Sequence, residues 1–229
     1  MIKNIFLDLD NTLLDFKQGE RKAIHKTLIK MGLSPTDKIV DRYMEINLEC
    51  WRALEKGELT RDEVLYGRFE RLYRELSVDI SPTDTQTVYQ HLLGLEHDFM
   101  PGAEELLEQL KARKYRLYLA TNGIPEVQYP RLAASGIDKY LDGVFISYEL
   151  GYPKPKVEFF DGCASQISDY KPSESIIVGD SLSSDIKGGI NAGILTCHYN
   201  VWNDTYTDIQ PDYTINHLSE LIAILDSIK

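Results

Sequence analysis

Asp8 and Asp10 stand two residues apart in Ile5-Phe6-Leu7-Asp8-Leu9-Asp10-Asn11-Thr12-Leu13-Leu14, a run of large apolar residues broken by a polar Asp-Asn-Thr. The pattern reads as a buried strand that opens onto a turn. Both carboxylates fall at its carboxyl end, where ligand crevices form in α/β sheets. Side chains alternate along a strand, so residues 8 and 10 point the same way. At roughly 4 Å two carboxylates repel by about 4 kcal/mol for an effective dielectric of about 20, so one must hold a proton or a cation must lie between them. The pair predicts a metal, a neighbouring lysine, or both. Taken alone, the same spacing also suits a calcium loop or an ordinary strand-to-turn junction.

Three further stretches carry groups of complementary chemistry at strand ends or in the loops that follow them. Thr121-Asn122-Gly123 offers a hydroxyl and turn amides suited to phosphate oxygens, although the same tripeptide serves as a plain turn. Lys154 sits in Gly151-Tyr152-Pro153-Lys154-Pro155, where two prolines stiffen the loop and fix the direction of the ammonium. A lone lysine is more often a solvated surface residue. Gly179-Asp180-Ser181-Leu182-Ser183-Ser184-Asp185 puts one acid at a strand end and a second five residues on, in the first turns of a glycine-punctuated helix.

The elements that must position these groups follow from the apolar spacing. After Leu14 the pattern turns helical for about eighty residues. Ile24 and Leu28 mark a first helix, and Ile39, Tyr43, Ile46, Cys50 and Ala53 form an amphipathic stripe on a second, which Gly57 stops. Thr60-x-x-Glu63 is a capping box opening a third, with Leu65, Phe69, Leu72 and Leu76 as its buried side. Ser81-Pro82, with Asp84 at the third helical position, starts a fourth that Gly94 ends. Met100-Pro101-Gly102 marks the return of β and α in alternation: strands at 115–120, 143–147, 175–178, 194–198 and 213–215, with helices between and after them. Pro130 falls inside the helix expected over 125–135 and is expected to kink or shorten it. Strands alternating with single helices imply parallel pairing through right-handed crossovers, hence a doubly wound α/β sheet. The division expected is a discontinuous α/β core, residues 1–15 and 97–229, with a four-helix bundle inserted at 16–96.

Composition narrows the functions available. The chain has 229 residues, 43% of them hydrophobic, enough for a real core, and a net charge of −11 with no basic run, which argues against a nucleic-acid surface. An anionic substrate gains nothing from that overall field, so a phosphate site must create its own positive charge. Cys50, Cys163 and Cys197 are widely separated, with no Cys-x-x-Cys, so neither a disulfide framework nor a zinc site is expected. The amino terminus runs straight into the first strand and no apolar run approaches the ~18 residues of a membrane span, so a cytoplasmic protein without a membrane partner is expected. Asn203-Asp204-Thr205 matches a glycosylation sequon by chance in that setting.

Asp-x-Asp-x-Thr at 8–12, Thr-Asn-Gly at 121–123, Lys-Pro at 154–155 and Gly-Asp-Ser-x3-Asp at 179–185 stand in one order. That set resembles the four motifs of the haloacid dehalogenase (HAD) superfamily, and the helical insertion lies where its C1-type caps lie. The resemblance implies a Rossmann-like HAD core with a helical cap. It implies that Asp8 is the nucleophile and forms an aspartyl-phosphate, and that Asp10 is the general acid and base. Mg2+ would be held by the Asp8 carboxylate, the Asp10 backbone carbonyl and Asp180, with Asp185 in support. Thr121, Asn122, Gly123 and Lys154 would bind the phosphoryl group. Dehalogenases of the superfamily lack the second aspartate of the first motif, so Asp10 argues for phosphorus chemistry.

Within the superfamily, Asp15-Phe16, Asn47 with Trp51, Glu55-x-Gly57-Glu58-x-Thr60, Arg68-Phe69 and Ser184-Asp185-Ile186-x-Gly188-Gly189 look like the pyrimidine 5'-nucleotidase subgroup. The substrate so implied is a small phosphate ester, a nucleoside monophosphate. Asn47 and Trp51 are four apart on one helix face, where an amide and an aromatic ring could meet a base, or Trp51 only packs. Phe16 is either a stacking residue or a staple. A sugar-phosphate phosphatase, a phosphoglucomutase-like transferase and a non-catalytic binding protein on the same fold are the competing readings, and oligomeric state is open.

Overall fold

A computed structural model describes residues 1–203 and 208–228. Asp204 and Thr205 of the sequon lie outside the described residues. The chain divides into two compact units, Met1–Asp15 with Asp98–Pro125 and Leu132–Lys229, and Phe16–His97 with Glu126–Arg131.

In the first unit the strands are β1 (Asn4–Leu7), β2 (Arg116–Thr121), β3 (Gly143–Ile146), β4 (Ser175–Gly179), β5 (Leu195–Tyr199) and β6 (Tyr213–Ile215). Among the described residues they form one six-stranded sheet in the order β3-β2-β1-β4-β5-β6, and each pairing is parallel. The fold is thus the doubly wound α/β type, and β1 sits where the winding reverses, the usual place for a crevice at strand carboxyl ends. β1 is buried along its whole length, and its alternation divides the core. Ile5 and Leu7 join Leu117, Leu119, Ile176 and Val178 in one cluster, whereas Phe6 joins Tyr118, Phe145, Phe159, Phe160 and Ile177 in another.

Register decides which residues emerge together. Leu7 is level with Leu119 on β2 and with Val178 on β4. Asp8, Ala120–Thr121 and Gly179–Asp180 therefore leave the sheet side by side, although about 110 and about 170 residues separate them in the chain.

The helices of the second unit are α1 (Phe16–Lys30), α2 (Asp37–Glu55), α3 (Arg61–Leu76) and α4 (Pro82–Leu93). The expected capping box at Thr60 and Glu63 forms, and Ser81 caps α4 with Pro82 in its first turn. The buried stripe of α2 keeps Tyr43, Ile46 and Cys50 but ends on Val40 and Leu54, where Ile39 and Ala53 were expected; these two are half-buried. One polar side chain from each helix meets in the interior. Asn47 of α2 donates to Glu20 Oε1 of α1 at 2.5 Å and accepts from Arg68 of α3 at 2.7 Å, while Arg68 also donates to Gln86 Oε1 of α4 at 2.6 Å. Tyr43, Phe69 and Tyr89 surround the Arg68 guanidinium with ring centroids at 6.0, 5.1 and 4.8 Å.

The remaining helices are α5 (Ala103–Ala112), α6 (Pro125–Ser135), α7 (Ser147–Leu150), α8 (Val157–Ala164), α9 (Lys187–Asn191) and α10 (Glu220–Ser227). Pro130 neither stops nor shortens α6, which runs to the left-handed cap Gly136. The ring removes a single amide donor, to the carbonyl four residues back, and the rest of the helix carries on. No helix among the described residues is long and apolar enough to cross a membrane.

α9 reaches the sheet through glycine. A Cβ on Gly189 would lie 2.6 Å from both Ile177 Cγ2 on β4 and Thr196 Cγ2 on β5. Gly189→Ala is therefore expected to lower stability by about 1–3 kcal/mol by overpacking this contact. A chemical denaturation curve checks this, and an unchanged midpoint would mean the helix can lift without cost.

Candidate active site

Lys154 is the buried centre of the strand-end cluster, 1% exposed. Its ammonium donates to Asp8 Oδ1 at 2.8 Å, to Asp185 Oδ1 at 2.6 Å and to the Ala120 carbonyl at 2.5 Å, which uses all three protons. The main chain beneath it is clamped by one amide. Asn122 Oδ1 accepts from the Lys154 N–H at 2.8 Å, and Asn122 Nδ2 donates to the Lys154 carbonyl at 2.9 Å and to Ser184 Oγ at 3.2 Å. The Asn122 side chain thus fixes the lysine loop, a role its place in Thr121-Asn122-Gly123 does not announce. Thr121 is buried at the end of β2, and its hydroxyl accepts the Gly123 N–H at 3.1 Å.

Asp185 reaches the same spot by an unusual turn. Residues Leu182–Ile186 form a π-helical turn, where an ordinary helix was expected, with both Asp185 and Ile186 N–H bonded to the Ser181 carbonyl. Ser181 also accepts the Ser184 N–H on its hydroxyl and donates its own N–H to Asp185 Oδ2 at 3.1 Å. The widened turn lays the Asp185 carboxylate against the end of β4. A Cβ on Gly179 would sit 2.2 Å from Asp185 Oδ2, so only glycine permits the approach.

Asp8, Asp180 and Asp185 offer carboxylate oxygens that all lie within 4.8 Å of one another. Thr12 ties two of them together, donating to Asp8 Oδ2 at 3.3 Å and accepting the Asp180 N–H at 3.2 Å. One ammonium among three carboxylates leaves negative charge uncompensated, which suits a hard divalent cation with oxygen ligands. Asp10 is half-buried two residues on, and its charge is felt by Asp8.

The three other sequence candidates belong to the second unit. Phe16 is half-buried with the Arg131 guanidinium 5.6 Å from its ring centroid. Asn47 is enclosed, both ends of its amide spent on Glu20 and Arg68, and Trp51 is half-buried one turn further along α2. Sequence reasoning did not single out Glu20, Gln86, His198 or Trp202. The last two touch Asp180, His198 Nε2 donating to its carbonyl at 2.9 Å and Trp202 Nε1 to Oδ2 at 3.4 Å. A histidine ending a strand pattern is a usable signal, but a tryptophan in a loop is none.

Burial sets the electrostatics. It pushes the Asp8 carboxyl from 3.8 up to about 7; Lys154 opposes the shift, and Asp185 and Asp10 add to it. Burial, then Asp8 and Asp185, also push Asp180 up. For Lys154 burial acts to lower the value, but Asp185 and Asp8 outweigh it and hold the ammonium above its ordinary range. A carboxyl whose folded-state value exceeds its unfolded value binds its proton more tightly in the fold, so stability is lost as pH rises from about 4 through about 7. Without metal, the melting temperature is expected to fall between about pH 4 and about pH 7 through Asp8, and a divalent cation should raise it more at the higher pH. Thermal melts with chelator and with cation check this; equal cation stabilisation at both pH values would count against a site on Asp8.

A model of the haloacid dehalogenase-like hydrolase family matches residues 2–193. The chain is 36% identical over 225 residues to the pyrimidine 5'-nucleotidase PynA of Streptococcus pneumoniae, covering 98% of this chain and 95% of that protein. It is 30% identical over 222 residues to the pyrimidine 5'-nucleotidase YjjG of Escherichia coli, covering 96% of each. The magnesium-bound HAD-hydrolase YfnB of Bacillus subtilis superposes with a TM-score of 0.94 at 34% identity, over 98% of this chain and 99% of that one. With the carboxylates and the lysine of its four motifs gathered at the ends of a parallel sheet, the chain belongs to the haloacid dehalogenase-like hydrolases.

Proposed function

We propose that the chain is a magnesium-dependent phosphatase that hydrolyses nucleoside 5'-monophosphates, pyrimidine ones first, through an aspartyl-phosphate on Asp8. The observation that carries this reading is the buried Asp8 carboxylate held by the Lys154 ammonium beside Asp180 and Asp185. The names of the relatives at 36% and 30% identity support the substrate class.

In this reading an Asp8 oxygen attacks phosphorus while the ester P–O bond breaks, and Asp10 gives its proton to the departing oxygen. Water then attacks the aspartyl-phosphate, loses a proton to Asp10 and releases inorganic phosphate. Asp8 must be ionised to attack, and Lys154 favours that state against the burial that opposes it. The Lys154 ammonium, fixed by the Asn122 clamp, neutralises charge on the phosphoryl oxygens, and Thr121 and the turn through Gly123 complete their binding. Magnesium, when bound by Asp8, Asp180 and the Asp10 carbonyl with Asp185 in support, supplies the charge that lets an anionic substrate enter a cluster of carboxylates. Phe16, Asn47 and Trp51 are the residues proposed for the base; Asn47, its amide tied to Glu20 and Arg68, would act through that network. The three cysteines are free thiols, which fits the cytoplasm as the proposed compartment.

Phosphate release, measured with magnesium and with EDTA across pyrimidine and purine monophosphates and sugar phosphates, tests the substrate. The expected outcome is magnesium-dependent release with pyrimidine monophosphates preferred. Preference for sugar phosphates would keep the chemistry and move the substrate class, and silence throughout would favour a transferase or a binding protein. Asp8→Asn is expected to fold and to lose activity on the order of a thousandfold or more. Substantial turnover by that variant would rule out the nucleophile.

A further inference from the structure

β5 lies beside β4 with His198 level with Gly179, so the loop leaving β5 runs past the residue leaving β4, Asp180. Asn200 N–H extends the parallel β5–β6 pairing by bonding to the Ile215 carbonyl at 2.8 Å, and a turn follows in which Asn203 N–H bonds to the Asn200 carbonyl at 3.3 Å and Asn203 takes a positive φ of 56°. The tight turn aims the Trp202 indole back at the sheet end, and Nε1 donates to Asp180 Oδ2 at 3.4 Å with the ring 41% exposed. Among the described residues Asp180 is otherwise held through its main chain, its N–H by Thr12 and its carbonyl by the buried His198. The indole N–H is donor only and engages one of the two carboxylate oxygens.

We propose that Trp202 is a positioning residue for the metal, its indole N–H holding the Asp180 carboxylate in the rotamer that presents the other oxygen to the cation. This rests on the reading of Asp180 as a metal ligand. Partners that orient a ligating carboxylate set metal affinity, and losing one typically costs ten- to a hundredfold; a long, half-exposed bond places Trp202 at about the lower end of that range. The same bond makes Trp202 a reporter, because a cation drawing charge from Asp180 alters the indole's surroundings. The chain has two tryptophans, so in Trp51→Phe the emission comes from Trp202 alone.

The experiment is a magnesium chloride titration of the full chain, followed by isothermal calorimetry on the wild type and Trp202→Phe and by tryptophan emission on Trp51→Phe. Emission is expected to change saturably with a midpoint matching the calorimetric one. Trp202→Phe is expected to bind magnesium about tenfold more weakly, with an unchanged circular dichroism spectrum and, at saturating magnesium, a kcat within about twofold of wild type. Calorimetric binding by the wild type with a silent indole, or with unchanged affinity in Trp202→Phe, overturns the positioning role and leaves the metal site standing. No heat of magnesium binding in the wild type overturns both.

Discussion

A single buried ammonium makes the strand-end cluster of the first unit possible. Asp8 and Asp185 are both nearly inaccessible, and Asp180 lies within 4.8 Å of them. Burying like charges this close is prohibitive unless an opposite charge shares the space. Lys154 supplies it, with each of its three protons placed on an oxygen. The compensation is partial, which is why burial still drives Asp8 upward and why a cation has a physical reason to enter.

Much of the surrounding architecture maintains that one contact. The amide of Asn122 locks both main-chain polar groups of Lys154, so the ammonium's position is set by β2 as well as by its own loop. Gly179 leaves the space that Asp185 occupies, and the π-turn ahead of α9 delivers the carboxylate into it. Thr12 joins the first motif to Asp180 through one hydroxyl. Such rigid placement is what catalysis by pre-arranged charge needs, since dipoles and ions already in position cost nothing to reorganise when charge develops on a substrate.

The second unit solves a similar problem with a neutral go-between. Glu20 and Arg68 are both buried, and the amide of Asn47 bridges them, accepting from the cation and donating to the carboxylate. Gln86 completes the set, so each of the four helices contributes a polar group whose partner lies on another helix. Polar groups that must be satisfied in an apolar interior define helix register more sharply than apolar contacts, which tolerate sliding.

Much of the fold was legible in residue order because its determinants are local. The capping box at Thr60, the Ser81-Pro82 start and the apolar spacing of α5 reappear, and α3 buries Leu65, Phe69 and Leu72 as expected, with Leu76 half-buried and Tyr73 enclosed instead. The departure came where tertiary contact overrides spacing: the ends of the α2 stripe shifted by one residue. The helix over 125–135 closed by Gly136 formed as expected, with Pro130 carried through it. By itself the sequence determined which groups could do chemistry, since Asp8, Asp10, Thr121, Lys154, Asp180 and Asp185 are marked by residue type and by strand-to-turn junctions. Only the tertiary structure decided what each one touches. The register of three strands brings residues 8, 120 and 179 level, the side chain of Asn122 serves Lys154, and Trp202 reaches Asp180. Those contacts join residues far apart in the chain, and no local periodicity encodes a distance that the packing of the whole sheet sets.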